Sequence, residues 1–366
     1  MRTRKQQLYD IVYYRLERWI YTQFLNQNTR KRLRGIKFDR AFYQEYKKTI
    51  RPYWRKYGVK PDIVWAKFFY TLTGSMDPRY IPSDIFARNI IPHFNQFPYM
   101  GPLADKNLNN MVFPTIKRPE TAFKYVSGIY RLDDFSIITR EEALARIDPN
   151  KKYIIKPSCF SHSGSEVKVF SGSLGAEELS AFLKQYDDSD YIVQGFIVQH
   201  PDLAVLNPTS VNTLRVATLL LNGKTHLLPA SVLRIGGTGS TVDNVGAGGY
   251  QCPILPDGRL NKTAFTKKSA DSRFGEFVEE TSSGLRFEDF KVPSYDKVCA
   301  TVLDLAGRIP HVGYIAWDIA IDESGDPVLV EFNIHAPGHS QENCGPTFGD
   351  MTEAVLDEVF GTNYAQ

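Results

Sequence analysis

The chain has 366 residues, 42% hydrophobic and 13% aromatic, enough for two or three lobes with a sizeable core and unlike a disordered chain. No run approaches the roughly 20 apolar residues of a membrane-spanning helix, and no apolar signal-type segment follows the basic start "MRTRKQQLYD". The net charge of +3 hides an asymmetry, because residues 1–70 carry 18 Lys+Arg against 5 Asp+Glu and the remainder 26 against 36.

A basic head on an acidic body predicts an anionic partner such as phospholipid, a lipid-linked phosphate or nucleic acid, or else docking of the head on its own body. No recognised nucleic-acid module accompanies the charge. Residues 6–24 place Leu8, Ile11, Val12, Leu16, Trp19 and Ile20 at helical spacing, with Arg4, Arg15 and Arg18 at or near the edges of that stripe. Such a helix fits peripheral membrane contact through residues 1–24 or a groove on the body. Helical character continues over 40–75, with breaks expected at Pro52 and Gly58. Further helices are expected at 106–111, 141–147, 176–186 and 295–307. From about residue 150 the pattern turns to β-branched runs punctuated by glycine. Strands are expected at 152–156, 166–170, 191–198, 213–221, 226–234, 313–321 and 327–333. The four cysteines, Cys159, Cys252, Cys299 and Cys344, form no CxxC pair. That argues against a disulfide framework or a zinc site and suits a reducing cytoplasm.

The stretch "GYIAWDIAIDESGDPVLVEFNIHAPGHS" (313–340) reads as a hairpin. Asp318 lies on its first strand, and Glu331 and Asn333 lie two apart on its second, where they share a face. Three oxygen donors converging on one point favour Mg2+ or Mn2+ over zinc or copper. A divalent ion held by few protein ligands usually serves phosphates. "IIKPSCFSHSGSEVKVF" (154–170) supplies what a polyphosphate needs: Lys156 at a strand end, then a loop of small and hydroxylated residues. Neither a Walker A loop nor a GxGxxG fingerprint is present, so the nucleotide must be held in another way.

In these features the chain resembles the ATP-grasp ligases, and most nearly the sugar-transfer-associated branch. The resembling stretches are "YIPSDIFARNIIPHFNQ", "LADKNLNNMVFP", "SVNTLRVATLLLNGK", "LRIGGTGSTVDNVGAGG" and "GYIAWDIA…VLVEFNIHAPGHSQ", which lie between residues 80 and 341. The resemblance implies an α+β, ATP-grasp fold in which two subdomains clasp ATP. It divides the chain into a helical basic region (1–100), a first subdomain with a phosphate flap (101–195) and a second with the metal site (196–366). Lys106 resembles the first nucleotide lysine and Lys156 the second. The flap would be 158–165, with Ser163, Gly164 and Ser165 at the phosphates. "YIVQGFI" (191–197) resembles the segment whose backbone reads adenine, through Gln194 and Phe196. Asp202 and Gln199 remain alternatives for the ribose. Asp318, Glu331 and Asn333 match the metal ligands. Arg215 and Arg234 resemble the paired arginines that hold an acyl phosphate, and Asn244, before Gly248 and Gly249, the asparagine beside them.

The implied activity is a Mg2+- and ATP-dependent carboxylate–amine ligase, working on a sugar or polysaccharide precursor such as a uronic acid joined to an amino acid. Two departures limit the template. Ala316 stands where D-alanine–D-alanine-type ligases have an arginine before the metal aspartate, and "NIHAPGHSQENCG" leaves the acceptor side open, with His335 and His339 as candidate substrate residues. An ATP-grasp phosphotransferase, an acid–thiol ligase and a non-enzymatic scaffold bound to a membrane or glycan assembly are the rival readings.

Overall fold

A computed structural model of the chain describes residues 4–159, 167–186, 188–267, 272–335 and 340–361, with only the backbone given for 4–11 and 13. Its architecture is α+β, with a helical region followed by two antiparallel sheets. The helical region opens with α1 (Arg4–Arg32), longer than the 6–24 periodicity predicts. Next comes a helical run from Arg40 to Arg55, in which a π turn occupies Tyr46–Ile50. The expected break at Pro52 does not occur. Proline removes an N–H and crowds the carbonyl four residues back. The wider π turn ahead of Pro52 takes up that mismatch, and the chain turns only at Gly58, in the left-handed region. The same solution recurs at Phe86–Ile90, ahead of Pro92. Between these runs lies α2 (Ile63–Thr73), capped by the Asp62 side chain and ended by left-handed Gly74.

The first sheet has five strands in the order β2-β1-β5-β3-β4. They are β1 (Thr121–Val126), β2 (Ile129–Arg131), β3 (Lys152–Pro157), β4 (Lys168–Ser171) and β5 (Tyr191–Gly195). Helices Arg140–Leu144 and Ala176–Lys184 cover it, and Phe123, Tyr153, Leu179, Leu183 and Tyr191 fill the core between. The second sheet is ordered β11-β10-β9-β8-β6-β12-β13, with β7 paired to the remaining part of β6. Its strands are β6 (Thr213–Leu221), β7 (Lys224–Leu227), β8 (Val232–Ile235), β9 (Tyr250–Pro253), β10 (Ala264–Thr266), β11 (Glu276–Val278), β12 (Tyr314–Ile321) and β13 (Pro327–Asn333). The strand expected over 226–234 is therefore two, split around Pro229. β12, buried along its whole length, lies between β6 and β13, and Tyr295–Ala306 and Thr352–Phe360 are the main helices of this larger core.

The basic head is docked on the body through polar as well as apolar contacts. Asn95, fully buried, donates to the carbonyls of Tyr314 (2.8 Å) and Ile334 (2.7 Å) and accepts from the Tyr314 amide. Gln341 closes a matching pair of bonds on the backbone of Ile81, both 2.8 Å. α1 meets α2 through Asn26, which accepts from the Trp65 indole at 2.7 Å and donates to Asp84 at 3.4 Å. Around that bond Leu33, Val64, Trp65, Phe68 and Phe69 form a small separate core. Replacing Asn26 by leucine strands a buried indole N–H and loosens a buried carboxylate, so Asn26→Leu should cost about 1–3 kcal/mol. Thermal melts should show that loss beside an unaffected Gln27→Ala control, which changes an exposed neighbour.

Candidate nucleotide and metal site

The site is built across three neighbouring strands. Arg215 of β6 pairs in register with Asp318 of β12, and Asp318 in turn with Glu331 of β13. Residues directly opposite one another share a face, so a cation and two carboxylates lie in one row. Arg234 of β8 pairs with Thr213, two residues from Arg215. Arg215 therefore donates bidentately to Asp318, with Nη2–Oδ2 at 2.8 Å, while Arg234 reaches the same carboxylate at 3.4 Å. Asn333 donates to Asp318 from the far side at 3.3 Å. Burial alone would raise the Asp318 pKa, but Arg215 and Arg234 outweigh it and hold the carboxyl below its usual range.

The two lysines arrive from outside the larger sheet. Lys156 ends β3, and Lys106 begins a short 3-10 turn whose amide donates to the Ser158 carbonyl at 2.9 Å. Lys106 forms a 3.1 Å ion pair with Glu331. Lys156 is buried, and its ammonium lies 3.5 Å from the Val330 carbonyl. Burial pulls its pKa down to about 8 against the attraction of Glu331, and Lys106 adds to the depression.

These groups line one cavity of about 740 Å³. It brings together Lys106, Lys156, Phe196, Arg215, Arg234, Asn244, Asp318, Glu331 and Asn333. Ile154, Val169, Phe196, Ile197 and Val330 give it an apolar slot of the kind a base occupies. Asn244 caps the turn Val245–Ala247 through a 2.9 Å bond to the Gly246 amide. The turn closes only because Gly249 has no side chain, since a Cβ there would stand 2.6 Å from the Ile235 carbonyl.

Other expected residues lie elsewhere. Gln194 is buried within β5 and faces a small void behind the lysines rather than the cavity. Asp202 stands exposed at the start of helix Pro201–Leu206, beside His200. Gln199 spends its amide on the carbonyls of Asn207 and Ser210. His335 bonds the Met100 carbonyl at 3.2 Å, and its own carbonyl accepts from Arg18. Burial and Arg18 lower its pKa, which suits a neutral structural histidine. Ser163, Gly164, Ser165 and His339 lie outside the described residues.

Sequence reasoning passed over Asp243, which holds Arg234 at 3.3 Å and accepts from Thr213, although it stands directly before Asn244. It also gave no sign that α1 and α2 wall the cavity through Asn28, Thr29, Arg32, Trp65 and Phe68. At that end Arg32, Lys267 and Glu342 meet; burial lowers the pKa of the first two and raises that of Glu342.

Asp318, Glu331 and Asn333 offer a hard cation two carboxylates and an amide oxygen along one wall of the cavity. Among the described residues no group of three or more His, Cys, Asp or Glu that could hold a metal ion forms. A polyphosphate brought to the lysine wall would return the full charge to Lys156. Its binding should therefore take up a proton near pH 8, and affinity should fall as pH rises through about 8. Titration calorimetry in two buffers of different ionisation enthalpy measures this, and Lys156→Gln should abolish the uptake.

A family profile described as sugar-transfer associated ATP-grasp matches residues 129–343. Similar solved structures include the D-alanine–D-alanine ligase of Bacillus anthracis complexed with ATP, at 14% identity and a TM-score of 0.38, covering 71% of this chain and 65% of that one. D-alanyl-alanine synthetase A of Vibrio cholerae is similar at 13% identity and a TM-score of 0.41, covering 71% and 64%. N5-carboxyaminoimidazole synthetase of Staphylococcus aureus complexed with ADP is similar at 9% and 0.38, covering 67% and 52%. The chain thus spans less than two thirds of the length of these three proteins. No curated protein matches it.

Proposed function

The chain belongs to the sugar-transfer associated ATP-grasp family, and on that premise we propose that it is an ATP-dependent carboxylate–amine ligase working through an acyl phosphate. One observation supports this above the rest: the Arg215–Asp318–Glu331 row faces the same cavity as Lys106 and Lys156. Phosphoryl transfer to a carboxylate needs positioning and charge neutralisation more than proton transfer, and the wall offers just those.

In this reading the base of ATP lies against Ile154, Val169, Phe196 and Ile197. Lys106 and Lys156 neutralise phosphate oxygens. Asp318, Glu331 and Asn333 would hold Mg2+ or Mn2+, which supplies further neutralisation of the polyphosphate when bound. A substrate carboxylate oxygen attacks the γ-phosphorus, the bond to the β-phosphate oxygen breaks, and ADP leaves with the electron pair. Arg215 and Arg234, held by Asp318 and Asp243, then face the acyl phosphate. An amine nitrogen attacks the acyl carbon, its proton passes to water, and the C–O bond to phosphate breaks, leaving an amide and free phosphate. The arginines hold the oxyanion in between.

The description of the family as sugar-transfer associated supports a sugar or polysaccharide precursor, and within that reading a uronic acid serves as carboxylate and an amino acid as amine. Arg32, Lys267 and Glu342 at the far end of the cavity suit a charged substrate. A cytoplasmic setting fits four cysteines that are all free thiols.

Screening ADP release over uronic acids and nucleotide sugars crossed with amino acids tests the reading. Free phosphate should appear only with the amine present, and 18O placed in the carboxylate should emerge in that phosphate. A phosphotransferase would leave the phosphoryl group on its acceptor, an acid–thiol ligase would demand a thiol, and a scaffold would turn over no ATP. Glu331→Gln should slow turnover about 10²–10³-fold with the fold intact. Wild-type rates in that variant would remove Glu331 from the metal site.

A further inference from the structure

Helix α1 is amphipathic in the opposite sense to an ordinary surface helix. Its fully buried side chains are polar, Arg18, Thr22, Asn26 and Thr29, and beside them Tyr14 stacks on Phe97 and Leu25 packs into the small core. Its outward side carries Val12, Leu16, Trp19, Ile20 and Phe24, each 52–57% exposed. Their spacing of i, i+4, i+7, i+8 and i+12 lines one helix face over more than three turns. Other exposed large apolar side chains, such as Met111 and Ile137, stand in separate elements, where single exposures are ordinary. A continuous stripe over a polar docking face is not.

The surrounding charge identifies what covers it. Residues 1–40 hold 11 Lys+Arg against 3 Asp+Glu. Arg15 is exposed beside the stripe, and Arg30, Lys31 and Arg34 are exposed beyond its end, with Glu17 the acidic neighbour. A second copy packed on this face would bring two basic helices together. An anionic bilayer instead satisfies both the stripe and its charge. We propose that α1 is a peripheral membrane anchor that lies in the headgroup region of an anionic phospholipid bilayer, with Val12, Leu16, Trp19, Ile20 and Phe24 at the acyl boundary. The anchor is independent of the ligase chemistry. It does bring the cavity to the bilayer, because α1 also lines that cavity with Leu25, Asn28, Thr29 and Arg32.

The full-length protein should float with vesicles of phosphatidylcholine and phosphatidylglycerol at low salt, less at high salt, and least with phosphatidylcholine alone. Of the four tryptophans, Trp54, Trp65 and Trp317 are buried and Trp19 is exposed, so a blue shift on adding vesicles reports on Trp19. The double variant Leu16→Glu/Phe24→Glu keeps that reporter and alters only exposed side chains. It should partition at least about tenfold more weakly, with unchanged melting temperature and nucleotide binding. Three results would each overturn the proposal: no flotation of the parent at any salt, equal flotation of the variant, or a dimer seen by light scattering that the variant dissociates while vesicles are ignored.

Discussion

A single buried carboxylate organises this molecule. Asp318 lies in β12, in the interior of the larger sheet, and a charge there is tolerable only if it is paired and hydrogen-bonded. Arg215 from one side, Arg234 from the next strand and Asn333 from the other meet that requirement. Arg234 is steadied in turn by Asp243, and Asp243 by Thr213. The network explains why two arginines stand inside strands that otherwise read as core. It also fixes both guanidinium groups at the cavity wall before any ligand is present.

The second constraint is the docking of the helical region. Asn95 fastens it to the backbone of Tyr314 in β12 and Ile334 just past β13, and Gln341 of the body holds the Ile81 backbone in return. Side-chain amides are demanding partners, because misalignment leaves several polar groups unsatisfied at once. That makes the placement of α1 and α2 specific, and these helices finish the cavity wall that the sheets leave open.

The sequence was most informative where chemistry and strand period coincide. The hairpin carrying Asp318, Glu331 and Asn333 follows from two apolar runs around the turn at 322–326, and Lys156 from its place at a strand end. It was least informative where tertiary context decides. Pro52 reads as a helix break because a π turn leaves no mark in the composition. β10 and β11 are three residues each, too short for any period to show. Asp202 and His335 have the right chemistry at plausible positions, but one faces water and the other spends itself on Met100. For α1 the period gives the stripe and not its direction. Only the placement of Arg18, Thr22, Asn26 and Thr29 shows which side the protein holds.

The charges on the cavity wall bear on how a ligand arrives. Lys106, Lys156, Arg215 and Arg234 stand against Asp243, Asp318 and Glu331, and most of them are already matched to one another. With Arg32, Lys267 and Glu342 at the helix end, six cations stand against four carboxylates, and a formal excess of only two is largely screened a Debye length away. The wall is therefore a poor long-range lure for a polyanion, however well it grips one on contact. Encounter becomes a matter of unassisted diffusion to an open mouth, with capture rates that ionic strength hardly alters.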